Sequence, residues 1–486
     1  MLFSSFEFLF RFLPVFLVIY YLTPKKLRNV TLLGGSIVFY TIGEAGYITI
    51  LLACVLVNYT LTRLMYRKNT DGRGIRQKRL LLLALGYDLG VLFFFKYSGL
   101  ASGLPLGISF YTFQIMAYVI DVYRGRIPAE QSLLRLGTYL TMFPQLISGP
   151  ITNYADVRVA LGRERTIKAR QLEEGMKLLI IGLAAKVVIA DRIGTLWNSI
   201  RMIGFDSIST KLAWMGAFAY SLQLYFDFSG YSLMALGAAE LLGLQLTTNF
   251  DTPYFSRSIR EFWGRWHISF SSWLKDYVYI PLGGNRKGKA RKYLNLLLTF
   301  LVSGVWHGVG LTYLIWGALH GVYQIAGDAT DRLRGRVYAA LHISRTGRLA
   351  CAWQCLCTFA LVNAAWVFFR AASVHDALYV LTAQFRNVSL TGLLADIRAI
   401  AASFNAKSLL SAAFLAFVLL ALAGGVLLDC ARRFKAPGGD LSARMLSLPL
   451  IFRWLLYYAL AAFIFAGFLM NNGYFATAAN FLYNNF

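Results

Sequence analysis

An all-α, polytopic integral-membrane fold is predicted by three features of the chain. Hydrophobic residues make up 57% and charged residues only 15% of the 486 residues, where a soluble domain carries roughly 25% charge. Apolar runs long enough to cross a bilayer, about 20 residues each, recur along the whole length. Lys and Arg, 48 against 23 Asp and Glu for a net charge of +25, fall in short clusters between those runs, as the positive-inside rule distributes them. Length alone would suggest about three soluble domains, which this composition excludes.

In chain order the candidate runs lie near 6–23, 29–43, 45–65, 79–97, 104–122, 133–152, 172–190, 212–226, 230–245, 294–308, 310–327, 349–369, 406–428 and 450–471. Some are too short or too polar to cross fully, which gives an expectation of about 10–13 membrane segments. The first run has no basic region ahead of it and no small-x-small cleavage site before Pro24, so it is expected to stay as a span rather than be removed. With Lys25 to Arg28 on the cytoplasmic side, the N-terminus lies outside, and the basic loop from Arg67 to Arg79 returns to the cytoplasm two spans later. Without a tandem repeat or a long Gly, Ser or Pro linker, residues 1–486 are expected to form a single membrane domain.

The basic clusters never stand apart from the membrane pattern, so nucleic acid is excluded as a partner. Five cysteines, Cys54, Cys351, Cys355, Cys357 and Cys430, are an odd number without zinc-ribbon spacing. They read as buried helix thiols, neither a disulfide framework nor a metal site. Gln114, Asp121, Gln145, Lys186, Gln223, Asp227 and His307 interrupt apolar runs. Polar groups at membrane depth are costly unless they face protein or water, so a polar-lined interior follows.

Residues 254–277, YFSRSIREFWGRWHISFSSWLKDY, place Phe255, Ile259, Phe262, Trp263, Trp266, Phe270, Trp273 and Tyr277 within an arc of about 100° on a helical wheel, with Arg257 and Lys275 opposite. That predicts a basic amphipathic helix in the membrane interface. His267 sits at the edge of the arc, as either an interfacial-helix histidine or a site residue. The following loop, PLGGNRKGK from Pro281 to Lys289, combines glycines that let backbone approach a phosphate with cations that neutralise it. It could receive a phosphorylated donor such as a coenzyme A, or be a plain positive-inside loop. Arg257, Arg260, Lys275, Arg286, Lys287 and Lys289 are the candidate donor-binding residues.

His307 lies in the middle of the next apolar stretch. A neutral imidazole suits proton exchange near pH 7, and a histidine in the bilayer needs a reason. On one unbroken helix His320 would be about 20 Å from it and on another face, so His307 is favoured as the base. Gly304, Gly308, Gly317 and Gly321 give small-xxx-small spacing for close helix approach. A histidine base, a basic cytosolic mouth and a polar interior suggest acyl transfer in which a hydroxyl attacks a thioester. No G-x-S-x-G elbow or nearby cysteine supplies a covalent nucleophile.

At these residues the chain resembles the membrane-bound O-acyltransferase family, in its alginate O-acetyltransferase-like branch. The blocks are LPLGISFYTFQIMAYVIDVYRG (104–125), FPQLISGPI (143–151), QLYFDFSGYSLMALG (223–237), NFDTPYFSRSIREFWGRWHISFSSWLKDYVYIPLGGNRKG (249–288), GVWHGVGLTYLIWGALHG (304–321) and WVFFR (366–370). Residues 104–325 carry the core motifs and 253–292 the cytoplasmic-side amphipathic, basic segment.

The resemblance implies a multi-helix fold with interfacial and re-entrant helices around a central funnel or tunnel. It also implies a catalytic His307 in the WHG block and a second functional histidine, His267, in RWHIS. Gly264 departs from the second Arg expected in that block. The implied activity is O-acetyl transfer in the bacterial inner membrane, from acetyl-CoA without a metal, to an exported polysaccharide such as alginate or cellulose through a periplasmic acetyltransferase or acceptor protein. Such a partner is expected because no sizeable outside domain is available to hold a glycan. D-Alanyl transfer to teichoic acid from a carrier protein is the alternative within the family. A transporter, whose activity would survive loss of His307, is the alternative outside it.

Overall fold

The computed structural model describes residues 1, 3–66, 74–99, 103–194, 197, 208–386, 423 and 449–469. Among them all regular structure is helical. The expected span at 406–428, Cys430, the cluster Arg432–Lys435 and the first part of the Arg67–Arg79 cluster lie outside the described residues, apart from Ala423. The chain divides into two compact units, one of Met1–Leu183, Gly230–Thr248 and Phe468–Phe486, the other of Ala184–Ser229 and Asn249–Gly467.

The first unit contains α1 (Leu13–Leu22), α2 (Arg28–Glu44), α3 (Ile48–Met65), α4 (Ile75–Tyr97), α5 (Ile108–Tyr123), α6 (Leu133–Thr141), α7 (Tyr154–Gly162) and α8 (Ala169–Ala184, bar its last residue). Pro14 is the second residue of α1, just where a π-helical turn over Glu7–Phe12 gives way to regular α-helix. Pro24 then excludes Thr23 from the helical region, and Thr23 is extended. Gly107 precedes α5 with φ 73°, and a Cβ there would collide with the Leu146 carbonyl, so only glycine fits.

Long, apolar outer faces identify these as membrane helices. Leu82, Leu83 and Phe93 of α4 and Val38 and Ile42 of α2 are exposed, while Asn58 and Asp88 are buried and bonded to each other at 2.7 Å. Three stretches among the described residues are long and apolar enough to cross a membrane, at Lys25–Met65, Ile75–Tyr97 and Arg348–Arg370. Of the seven polar residues that interrupt apolar runs, Gln114, Asp121, Gln145, Lys186, Asp227 and His307 are buried in protein and Gln223 is half-buried.

The long helix α9 (Thr210–Leu241) contributes its residues before Gly230 to the second unit and the rest to the first. Within the first unit, Gly175 and Gly182 of α8 face the backbone of Gly237 and Gly230, a separation that leaves no room for a side chain. In the second unit a stretch of π-helix at Ala185–Ala190 carries Lys186, whose ammonium lies 2.6 Å from both Asp191 and Asp227. A buried charge of this kind is tolerable only when paired.

The rest of the second unit is α10 (Ile259–Trp263), α11 (Ile268–Leu274), α12 (Gly288–His307), α13 (Leu311–Ala329), α14 (Asp331–Ala340), α15 (Arg348–Arg370), α16 (Val374–Ala383) and α17 (Leu450–Leu469, bar its last two residues). The expected interfacial helix over 254–277 is therefore two short helices and a bend. Ser258 caps α10 by accepting from the Glu261 N–H, α10 ends at Gly264, and His267 takes left-handed φ and ψ of 44° and 55° before α11 starts. Ile259, Phe262, Trp263, Trp266, Phe270 and Trp273 are buried in the protein rather than laid on a lipid surface. The bend turns each half separately inward, which a single helical wheel cannot represent.

Candidate active site

His307 is the last residue of α12, and its helix stops there because Gly308 is fully extended, with φ 174° and ψ 173°. The chain reverses through Gly310 into α13, and the two helices pack closely. A Cβ on Gly304 would lie 2.5 Å from the Tyr313 carbonyl oxygen, and one on Gly317 would collide with the carbonyl of Phe300. The glycine spacing thus works within one hairpin. His320, which a continuous helix would carry far from His307, is returned toward it. The rings of His307 and His320 pack against Trp316 at centroid distances of 5.0 and 5.2 Å.

His307 is sheltered by Trp306, Trp316 and Phe369, at 4.5, 5.0 and 5.0 Å between centroids, and is buried. The WVFFR segment in α15 supplies Phe369 and Trp366, the latter stacked on Trp316 at 5.7 Å. Such a wall excludes water and sharpens every electrostatic interaction inside it.

His267 is buried at the bend between α10 and α11. Two backbone bonds staple that bend to the preceding strand-like segment, Asp251 N–H to Arg265 O at 3.0 Å and Ile268 N–H to Asn249 O at 2.9 Å. The Asn249 side-chain oxygen accepts from the Ser269 N–H at 3.2 Å and the Ser269 hydroxyl at 3.0 Å. Because the Ser269 N–H can only donate, that oxygen is an acceptor, and His267 Nδ1, 3.0 Å away, must carry the proton. Nε2 is then the basic nitrogen. Burial pushes the imidazole down to about 3, so it is neutral at pH 7.

Asn249 has no charge and no motif of its own, and sequence reasoning assigned it nothing. The signal that could have found it is its fixed place at the head of the longest family block.

The predicted donor-binding residues are brought together by a cavity of about 1340 Å³ in the second unit. Arg257, Arg260, Lys275, Arg286 and Lys289 line it. Lys287 does not, and its methylenes lie over Gly283. Lys292, Arg332 and Arg334 complete eight cations against two carboxylates, Asp328 and Asp331. Both carboxylates are already engaged, Asp328 by Lys292 at 2.6 Å and Asp331 by Arg345 at 2.7 Å.

Buried apolar side chains, Trp263 and Phe300, also line the cavity. Trp263 donates its indole N–H to His320 Nδ1 at 3.2 Å and packs on Trp316 at 5.8 Å. A chain of rings, Trp263, Trp316, His307, therefore joins the cavity to the favoured histidine. Cys351 and Cys355 are half-buried on α15 rather than buried: the Arg257 guanidinium donates to Cys351 Sγ at 3.4 Å and the Cys355 thiol to Phe255 O at 3.2 Å. At Gly264 a Cβ would lie 3.3 Å from the Glu261 carbonyl oxygen, a tight contact that a larger residue would have to relieve.

A buried imidazole joined by edge-to-face rings to a cationic cavity, within an assembly of membrane helices, fits a membrane acyl-group transferase. Known proteins agree: the model of the membrane-bound O-acyltransferase family matches residues 37–374, and the chain belongs to that family. It is an O-acyltransferase of the alginate O-acetylase-like branch.

A probable alginate O-acetylase of Pseudomonas putida is 40% identical over 408 residues, 79% of this chain and 80% of that protein. The peptidoglycan O-acetyltransferase of Helicobacter pylori is 34% identical over 432 residues, 78% and 79% of the two chains. The teichoic acid D-alanyltransferase of Bacillus subtilis is 32% identical over 229 residues, 45% of this chain and 57% of that protein.

Proposed function

We propose that this protein takes an acetyl group from acetyl-CoA at the cytosolic face of the bacterial inner membrane and passes it outward for O-acetylation of an exported polysaccharide. The observation that carries the donor assignment is the cavity: eight cations lining it beside the buried rings of Trp263 and Phe300 suit a polyanionic carrier with a thioester at the end of a neutral arm. Long identity to proteins named as alginate and peptidoglycan acetylases, against a match to the D-alanyltransferase over less than half the chain, favours acetyl over D-alanyl.

In this reading His307 takes the proton of an acceptor hydroxyl as its oxygen bonds to the thioester carbonyl carbon. The C–S bond breaks, and the leaving thiolate takes the proton back from the imidazolium. His267 stays neutral and presents Nε2 as a hydrogen-bond acceptor, which positions a hydroxyl without competing as the base. A periplasmic acetyltransferase or acceptor protein receives the acetyl group and hands it to the polymer. The test is reconstitution in liposomes with labelled acetyl-CoA on the cytosolic side and purified polysaccharide on the other. Label should reach the polymer only when the periplasmic partner is added; efficient acetylation by this protein alone would refute the relay.

A further inference from the structure

The helix α14 (Asp331–Ala340) is anomalous in this fold, because none of its residues is buried. A ten-residue helix is marginal in water by itself, and its own chain holds only its polar side, through Arg345 on Asp331 and over the Tyr338 ring, which leaves its apolar side to another partner. Its sequence says what. Leu333 and Val337, with Leu341 just past its end, form an i, i+4, i+8 row that is 60%, 48% and 61% exposed. At 100° per residue this row and Ala340 span about 100°, flanked by Arg332 and Arg336 on one side and Arg334 on the other. Cations at both borders of an apolar stripe match a surface that is apolar below and anionic above.

Its neighbours set the same depth. α14 joins the end of α13 to the start of α15, a helix long and apolar enough to cross the membrane. Leu349 and Trp353, in the first two turns of α15, are exposed beside it.

We propose that α14 lies in the headgroup layer of the bilayer, with Leu333, Val337 and Leu341 among the acyl chains and Arg332 and Arg336 binding anionic phospholipid headgroups. The polar face of the same helix, Asp331, Arg332, Arg334 and Tyr338, lines the cationic cavity, so Arg332 stands where cavity and headgroup layer meet. One short helix is then both lipid-bound and a wall of that cavity.

The test uses the full-length protein in vesicles of phosphatidylethanolamine and phosphatidylglycerol, with a photoreactive benzoylphenylalanine placed singly at 333, 337, 341, 335 or 339. Irradiation should give phospholipid adducts at 333, 337 and 341 in at least about fivefold excess over 335 and 339. The adducts should be richer in phosphatidylglycerol than the bulk bilayer, and the double variant Arg332→Gln, Arg336→Gln should remove that enrichment. Equal yields at all five positions, adducts of bulk composition, or links between two copies of the chain would each overturn the proposal. Trypsin cleavage after Arg336 in the unlabelled protein gives a second reading: it should be slower in phosphatidylglycerol vesicles than in phosphatidylcholine vesicles, and equal rates would count against the proposal. Both readouts are independent of acetyl transfer, so their failure leaves the proposed activity standing and its failure leaves them standing.

Discussion

His267 and His307 bracket one ring. Phe270 lies 5.0 Å from the imidazole of His267 and 6.0 Å from that of His307, between centroids. Forty residues separate the two histidines in sequence, yet both line the surroundings of a single phenyl group inside one compact unit. Their environments differ: His267 is fixed at one nitrogen by Asn249, whereas His307 is walled by aromatic rings.

That fixation makes Asn249 a positioning residue. Asn249→Ala removes the acceptor that holds His267 Nδ1–H and the Ser269 cap, and should lower acetyl transfer by about tenfold or more, the equivalent of roughly 1–2 kcal/mol. Asn249→Asp keeps an oxygen in place and should retain more activity than the alanine variant. Initial rates at matched protein abundance decide it; equal losses in the two variants would count against the orienting role.

The neutral state of His267 has a consequence for stability. Its folded value, about 3, lies below the ordinary value near 6.5, so between those limits the unfolded chain binds a proton that the native one does not, and stability falls as pH drops through that window. Thermal unfolding of the wild type and His267→Gln in detergent, followed from pH 7 to pH 4, should show the wild type losing stability faster. Parallel curves would contradict it.

The hairpin that sets His307 depends on Gly304 and Gly317. Gly317→Ala forces a Cβ into the Phe300 carbonyl and should cost about 1–3 kcal/mol, as overpacking does, with activity lost alongside. Gly34→Ala, where nothing lies within 4 Å, should be neutral or slightly stabilising. Thermal unfolding of both variants against wild type measures the contrast.

The cavity predicts a charge effect on the donor rather than on chemistry. Arg286→Glu with Lys289→Glu should raise KM for acetyl-CoA several-fold more than it lowers kcat, and should flatten the dependence of KM on salt, since screening acts only on the charges that remain. Lys287→Glu, outside the lining, should do less. Steady-state kinetics between 50 and 300 mM salt would separate the two sets.

The membrane class, the hairpin glycines, the burial of both histidines and the gathering of five of the six basic residues at one cavity were readable in the sequence, because each leaves a local mark: an apolar run, a small residue every fourth position, an imidazole where lipid forbids one, a basic cluster. The bend at residues 264–267 left no such mark. Its aromatic residues fit one helical arc, and only the tertiary bonds to Asn249 and Asp251 turn two half-helices inward. The role of Asn249 and the return of His320 to Trp316 were hidden for the same reason, since both depend on contacts between segments that periodicity does not connect.

Whether His307 carries the acyl transfer is decided by labelled acetyl-CoA turnover in proteoliposomes holding wild type or His307→Ala at equal, folded abundance, with the acceptor system present. Transfer in the variant should fall by at least about a hundredfold, as loss of a general base does, while acetyl-CoA binding to the cavity is retained. Near-normal transfer by His307→Ala would contradict it.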